Sequence, residues 1–294
     1  MTKTFTIVPR GSFALTEAAG FGFGPRAAQP FAGTMRLAFC LDDGSGHAGV
    51  VLTQAPDGVV HGLIAGDGEI QAVRAQVARI LSLDGDGEAW QRVGETDPVI
   101  GRLQAGHPGL RPVLFHSPYE AAAWSVISAR RGRSQAMQVY HELSQALGVR
   151  LEVDGEELWA FATPQRLRTV GEFPSLGPKR CERLRAIADA ALAGRLDVAR
   201  LQALGPDGAM DHLQALPGIG PFYAGLIVIR ACGFVDVPPL AERRILQAAQ
   251  HAYGVEDIAD HHALLVRSDG WRPFRTWAAV LLRVAFERSE LTGE

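Results

Sequence analysis

The segment Leu216-Pro217-Gly218-Ile219-Gly220-Pro221 packs two prolines and two glycines into six residues, between two stretches whose apolar residues recur at helical spacing. No helix runs through such a segment. Pro217 pushes the residue before it out of the helical region and stops the first helix near Leu216. Gly218 and Gly220 let the backbone turn tightly and leave no side chain over its amides. Pro221 suits the opening of a second helix. The pattern predicts a helix–hairpin–helix, Asp207–Leu216 followed by Phe222–Cys232, with Ile219 anchoring the turn between them. The first amides of the second helix have no partner inside it, so this end suits an anion such as phosphate. An ordinary interhelical turn fits the same residues.

Residues 1–85 have a different texture. They are rich in glycine and β-branched residues, with strand-like runs at Phe5–Val8, Met35–Leu41, Val50–Thr53 and Val59–Ile64 and a loop at Asp42–Gly46. Ile70 to Leu83 carries Val73, Val77, Ile80 and Leu81 at helical spacing, so a helix follows the strands. Beyond Asp97 the pattern is helical. Ser117-Pro118-Tyr119-Glu120 has the form of a capping box and opens a helix through Ala121–Arg131. Gln135–Leu147, Lys179–Ala193, Ala241–Ala252, Ile258–Val266 and Arg275–Ser289 follow. The expected fold class is α+β, an N-terminal antiparallel sheet domain followed by two all-α domains. The expected boundaries are 1–92 for the sheet domain and 93–116 for a connecting helical segment packing on the C-terminal domain. The helical domain with the hairpin covers 117–233, and the C-terminal helical domain 234–294.

Composition narrows the function classes. At 47% hydrophobic and 21% charged, the chain is neither disordered nor fibrous. No apolar run of about 18 residues occurs, so no transmembrane helix is expected. The first residues show neither a long apolar run nor a small-residue cleavage site, which gives the expectation of a cytoplasmic protein. Cys40, Cys181 and Cys232 are far apart and never in a CxxC spacing, so they read as buried thiols. Net charge is −3, and splitting the chain at residue 116 leaves neither part basic. Contact with a polyanion must then come from a local patch or from backbone dipoles. Gly20-Phe21-Gly22-Phe23-Gly24 lacks the strand–helix context of a phosphate loop and reads as plain loop. Asp260, His261 and His262 lack the spacing of metal ligands.

The pattern LxxLPGIGxxxA at Leu213–Ala224 resembles the helix–hairpin–helix of DNA repair glycosylases, in which an acidic residue follows downstream, a place held here by Glu242. Gly109-Leu110-Arg111, the helix pair within Ala121–Gln138, Phe161–Leu167, Gly177–Arg180, Ala190–Gly194 and Gly270–Arg275 are similar to bacterial 3-methyladenine DNA glycosylase II, the AlkA type. The likeness covers residues 90–290 well and the N-terminal part loosely. It implies a cleft between two helical domains, where a damaged nucleotide flipped from duplex DNA loses its base by hydrolysis of the N-glycosidic bond, in base excision repair. Flipping is required because that bond is inaccessible within the stack.

Carried over residue by residue, the resemblance makes Glu242 the catalytic acid. Its carboxylate would stabilise positive charge on the sugar and orient or deprotonate the attacking water. The family usually has aspartate here, one methylene shorter. Glu242 also reads as a residue that decorates a helix N-terminus, and Asp236 is the fallback acid. Phe222 stands where strand-cutting relatives carry a lysine, so no Schiff base forms and a monofunctional enzyme is expected. Phe222, Phe274 and Arg243 are expected in the base pocket, although both phenylalanines also fit plain core packing. Arg243, in place of an aromatic residue, would set a positive charge beside the acid and disfavour cationic bases. Arg130 and Arg131 replace a glutamine and an apolar wedge, and Arg130 would fill the gap left by a flipped base, contact phosphate, or stay as solvated surface. Gly218, Ile219 and Gly220 would hold a phosphate. No cofactor and no side-chain metal site are expected, beyond a monovalent cation on hairpin carbonyls near Leu216 and Ile219. The expected setting is a monomer acting on damaged duplex DNA at the nucleoid, away from membranes, on alkylated or deaminated purines. The rival reading is a non-catalytic damaged-DNA-binding protein that retains the hairpin, which the glutamate and the acidic balance favour. A third is a helical protein-interaction scaffold.

Overall fold

Alternation of apolar residues builds the N-terminal sheet. In a computed structural model that describes residues 3–66, 68–239 and 242–292, the side chains of 290–292 excepted, β1 (Lys3–Ile7) leads through the short helix α1 (Leu15–Ala19) to β2 (Met35–Cys40), β3 (His47–Gln54) and β4 (Val60–Ala65). The strands pair antiparallel in the order β1-β4-β3-β2. The register sets Phe5 opposite Gly62, where a Cβ would lie 2.1 Å from the Phe5 ring, so only glycine fits. Phe5, Ile7, Met35, Leu37, Val50, Leu52, Val60 and Ile64 share a core with Val73, Val77 and Ile80 of α2 (Ile70–Ile80), as period two requires.

The other face of β2 and β3 is covered as well. The hairpin of β5 (Val149–Val153) and β6 (Glu156–Ala160) lies over it, with Val153 against Gly49. That two-sided cover makes β3 buried from Ala48 to Leu52 without alternation. The β5–β6 hairpin is an addition that the helical texture beyond Asp97 does not predict. Its signal is local: Asp154 and Gly155 both have positive φ, +52° and +76°, the Asp-Gly turn that suits the twist of paired strands.

The helices fall into two cores. α3 (Gly87–Thr96) and α4 (Pro98–Gly106) pack with the sheet and with α12 (Arg243–Tyr253), α13 (His261–Ser268), the short 3-10 turn Asp269–Trp271 and α14 (Arg275–Thr292) in one continuous apolar cluster. Asp97 latches this core: it caps α4 by accepting from the Val99 and Ile100 amides, and also accepts from Tyr253 Oη at 2.8 Å and Trp271 Nε1 at 3.1 Å. The second core holds α5 (Pro118–Ser128), α6 (Arg133–Leu147), α7 (Pro164–Leu167), α8 (Pro178–Leu192), α9 (Val198–Ala203), α10 (Gly205–Gln214) and α11 (Pro221–Arg230). α5 runs through its centre, buried from Pro118 to Ile127 on every side.

Half of the expected capping box forms. Ser117 Oγ accepts from the Glu120 amide at 3.0 Å, but the Glu120 carboxylate turns inward, accepting from His116 Nδ1 at 2.9 Å and Tyr140 Oη at 2.8 Å. Burial alone would raise this carboxyl; His116, Tyr140 and the nearby Arg26 outweigh it and hold the group below its usual 4.5. A carboxylate whose folded pKa is depressed contributes stability that is complete above its unfolded pKa and disappears as pH falls through the folded value. Glu120→Gln should therefore lower stability by about 3 kcal/mol at neutral pH. Urea midpoints of the two proteins should converge below pH 4.5; a gap of constant size across pH would contradict this account.

Candidate active site

The hairpin forms where the local chemistry places it. α10 ends at Gln214, and the turn through Gly220 leads into α11 with Pro221 at its first position. Gly218 sits at φ +93°, and a Cβ there would come within 2.8 Å of Arg183 Cδ. Gly220 is extended, offers no side-chain cap, and has open space where a Cβ would be. Pro221 has no N–H, so the Phe222 and Tyr223 amides are the first donors that α11 presents outward. Ile219 is buried in the second core, and its amide donates to the Leu216 carbonyl at 3.1 Å.

A basic patch borders this turn, although the chain as a whole is acidic. Arg180 of α8 donates to the Ala129 carbonyl at 2.8 Å, Arg183 lies on Gly218, and Tyr223 Oη meets Ser128 Oγ at 3.2 Å. The end of α5, the start of α8 and the hairpin are thereby drawn together. The two arginines after Ala129 part company. Arg130 takes a left-handed φ of +57°, is exposed, and makes no hydrogen bond or ion pair among the described residues. Arg131 donates to the carbonyls of Ile127 and Ser175, which ties the helix end to a neighbouring loop. The residue expected to contact nucleic acid thus also braces the helix end, through two of its five N–H donors.

Glu242 precedes α12 in extended conformation, and its side chain makes no capping bond. Instead it turns toward α14, where both carboxylate oxygens accept from Arg283 Nη1 at 2.9 Å. Arg283 Nε in turn donates to Glu287 at 3.0 Å. The pair lines a small cleft, about 40 Å³, together with Phe23, Leu226, Arg230, Val237 and Ile245. One wall is α11, about two to three turns beyond the hairpin. The acid therefore faces a cleft, but an aliphatic and guanidinium-lined one in which Phe23 is the one aromatic ring among the described residues.

Other expected site residues lie elsewhere. Phe274 is enclosed between Trp90 and Trp277 in the first core, because the turn ahead of α14 directs it inward. Phe222 is 47% exposed, edge-on to Tyr223 and outside the cleft lining. Arg243 is exposed on the outer side of α12. Asp236 is no free acid: Arg275 Nε at 2.7 Å and Nη2 at 3.1 Å, with Arg272 Nη1 at 3.1 Å, engage its oxygens and fasten the start of α14. Sequence reasoning missed Phe23, Arg230 and Arg283. The two arginines were visible as single cations inside otherwise apolar helical runs, and Phe23 lay in the glycine-rich stretch read as plain loop. Ala241, the expected first residue of the helix that carries Glu242, lies outside the described residues.

The three cysteines are buried, and burial raises the thiols of Cys40 and Cys232, the latter to about 12. They are poor nucleophiles. Among the described residues no three His, Cys, Asp or Glu side chains gather as a metal site. Arg130→Ala should change stability by under about 0.5 kcal/mol, whereas Arg131→Ala should cost about 1–2 kcal/mol by leaving two carbonyls without donors. Chemical denaturation of both variants checks the contrast, and equal losses would contradict the opposite placements.

No protein-family model matches the chain. It is 28% identical over 246 residues to a probable bifunctional transcriptional activator/DNA repair enzyme AlkA of Mycobacterium tuberculosis, over 82% of this chain and 48% of that protein. The chain thus spans about half the length of that relative. A DNA-3-methyladenine glycosylase of Bacillus subtilis is 21% identical over 206 residues, 69% of this chain and 68% of that one. Among solved structures, the 3-methyladenine DNA glycosylase of Archaeoglobus fulgidus superimposes with a TM-score of 0.77 at 19% identity, over 95% of this chain and 97% of its own. In sequence and in fold alike, the chain resembles the AlkA type of 3-methyladenine DNA glycosylase, within the helix–hairpin–helix DNA glycosylases.

Proposed function

We propose that this protein is a monofunctional DNA glycosylase that hydrolyses the N-glycosidic bond of an alkylated or deaminated purine flipped out of duplex DNA. The observation that carries the reading is Glu242: a carboxylate that declines to cap its own helix and faces a cleft walled by the helix that follows the hairpin. Departure of a base leaves positive charge on the sugar, and a fixed carboxylate in a partly desolvated cleft stabilises it. The same group can orient the water that attacks the sugar. Phe222 supplies no amine, so the product is an abasic site in an unbroken strand. The Gly218–Gly220 turn and the amides of Phe222 and Tyr223 would cradle a backbone phosphate. Arg130, Arg180 and Arg183 lie near that end of the molecule. The Leu216 oxygen keeps one lone pair beyond its bond to Ile219, so it and the Ile219 carbonyl fit a monovalent cation.

The protein would act as a monomer wherever the cell keeps its DNA. No helix among the described residues is long and apolar enough to cross a membrane. The names of the mycobacterial and Bacillus relatives, a DNA repair enzyme and a DNA-3-methyladenine glycosylase, support alkylation damage as the substrate class. A second reading, a damaged-DNA-binding protein without catalysis, draws support from the cleft itself. It is narrow, and Arg283 holds both Glu242 oxygens. Catalysis requires that Arg283 yield on binding.

Release of free base from duplex DNA carrying alkylated or deaminated purines separates the two readings. Wild type should release it, and Glu242→Gln should lower the rate by about a hundredfold or more while DNA affinity holds. Affinity should fall steeply with added salt, as phosphate contacts demand. Binding with no release by wild type would leave the non-catalytic reading standing, and binding insensitive to salt would remove both.

A further inference from the structure

We infer that the Glu242 cleft selects an uncharged purine with hydrogen-bond acceptors over a cationic N-alkylated purine, and that Arg230 and Arg283 are the residues that impose this choice. The inference deepens the proposed glycosylase reading and rests on it.

A cationic purine is held best by aromatic faces, through stacking and attraction to the ring quadrupole. In this cleft the place is taken. Phe23 is the one aromatic ring in the lining among the described residues, and the Arg230 guanidinium lies over it with Cζ 3.6 Å from the ring centroid. Phe21 flanks the same guanidinium at 5.0 Å. The two phenylalanines of the glycine-rich stretch at residues 20–24 thus clamp a cation supplied by the protein itself. A cationic base entering beside Arg230 and Arg283 would meet two positive charges against the one carboxylate of Glu242.

The donors in the cleft point the same way. Arg230 Nη2 donates to the Val113 carbonyl at 2.6 Å, while its Nε is buried with no partner. A buried orphan donor is costly, and a carbonyl oxygen or unprotonated ring nitrogen of a bound base would relieve it. Arg283 commits Nη1 to Glu242 and Nε to Glu287, with no hydrogen bond from Nη2 among the described residues. It is a third exposed, so it can swing off the acid and turn a guanidinium edge to an entering base. Arg230 is clamped and stays.

The electrostatic balance agrees with this geometry. Burial, then Arg283 and Arg26, draw the Arg230 pKa down to about 9, against the smaller opposing pull of Glu287 and Glu242. The guanidinium stays charged at neutral pH, in surroundings where positive neighbours outweigh the carboxylates. Neutral bases with acceptor edges fit these surroundings, among them deaminated or oxidised purines.

The test is single-turnover base release from duplexes carrying one hypoxanthine or one 8-oxoguanine, against methylated duplex DNA carrying 3-methyladenine and 7-methylguanine. At least one uncharged base should leave about tenfold faster than either cationic base, each corrected for uncatalysed loss. Arg283→Met and Arg230→Met should narrow that ratio, with thermal melting to confirm folding. If Arg230→Met fails to fold, the wild-type ratio and Arg283→Met decide. Cationic bases released as fast as the uncharged ones would overturn the inference and leave the glycosylase reading intact. A ratio unmoved in folded variants would overturn the assignment to the arginines. Release of no base from any duplex would overturn the glycosylase reading, and the inference with it.

Discussion

Two apolar cores meet along irregular backbone, and its carbonyl oxygens have no helix or strand partner at the seam. Buried backbone acceptors must be satisfied, and guanidinium groups, with five donors in a rigid fork, do this here. Arg79 donates to the carbonyls of Ala231 and His116 and forks onto Asp42. Arg111 gathers the carbonyls of Arg10, Gly11, Ser12, Ser82 and Gly85. Arg230 takes that of Val113. Between these anchors the chain is pinned by Leu114 N on Ile80 O and Phe115 N on Arg230 O, both at 2.7 Å. The linker from the sheet domain to the helical domain is therefore a fastened seam.

That seam positions the candidate site. α11 carries the hairpin at one end and Arg230 at the other, so the hairpin turn and the wall of the cleft are two ends of one helix. The N-terminal segment reaches across to lay Phe21 and Phe23 on Arg230, and the C-terminal core brings in Glu242 and Arg283. Three parts of the chain, far apart in sequence, meet in one small volume. The Glu242 carboxylate reaches α14 and pairs with Arg283, and makes no cap on its own helix.

Local chemistry explains what is legible before folding. Proline and glycine limit the backbone by themselves, so the hairpin can be read from six residues. Alternation in β1 and β4 and the serine cap at Ser117 act within a few residues and are equally visible. The β5–β6 hairpin is masked, although Asp154-Gly155 announces it, because the helical texture on both sides dominates. Phe274 and Phe222 show the opposite case: each is an aromatic residue beside a helix start, and nothing local says that one faces Trp90 and the other solvent. Arg130 and Arg131 are neighbours of one type, yet a single left-handed backbone angle sends one outward while the other braces two carbonyls.

The sequence by itself determined the order of the helices, the glycine-rich hairpin turn, the lack of a lysine after it and the presence of an acid downstream. These follow from backbone restrictions and residue chemistry, which need no distant partner. Only the tertiary structure decided what surrounds that acid. Burial, ion pairing and ring contact depend on which residues approach through space, and so the arginine locked to Glu242, the arginine held between two phenylalanines, and the exile of Phe274 to the core emerge only once the chain has folded.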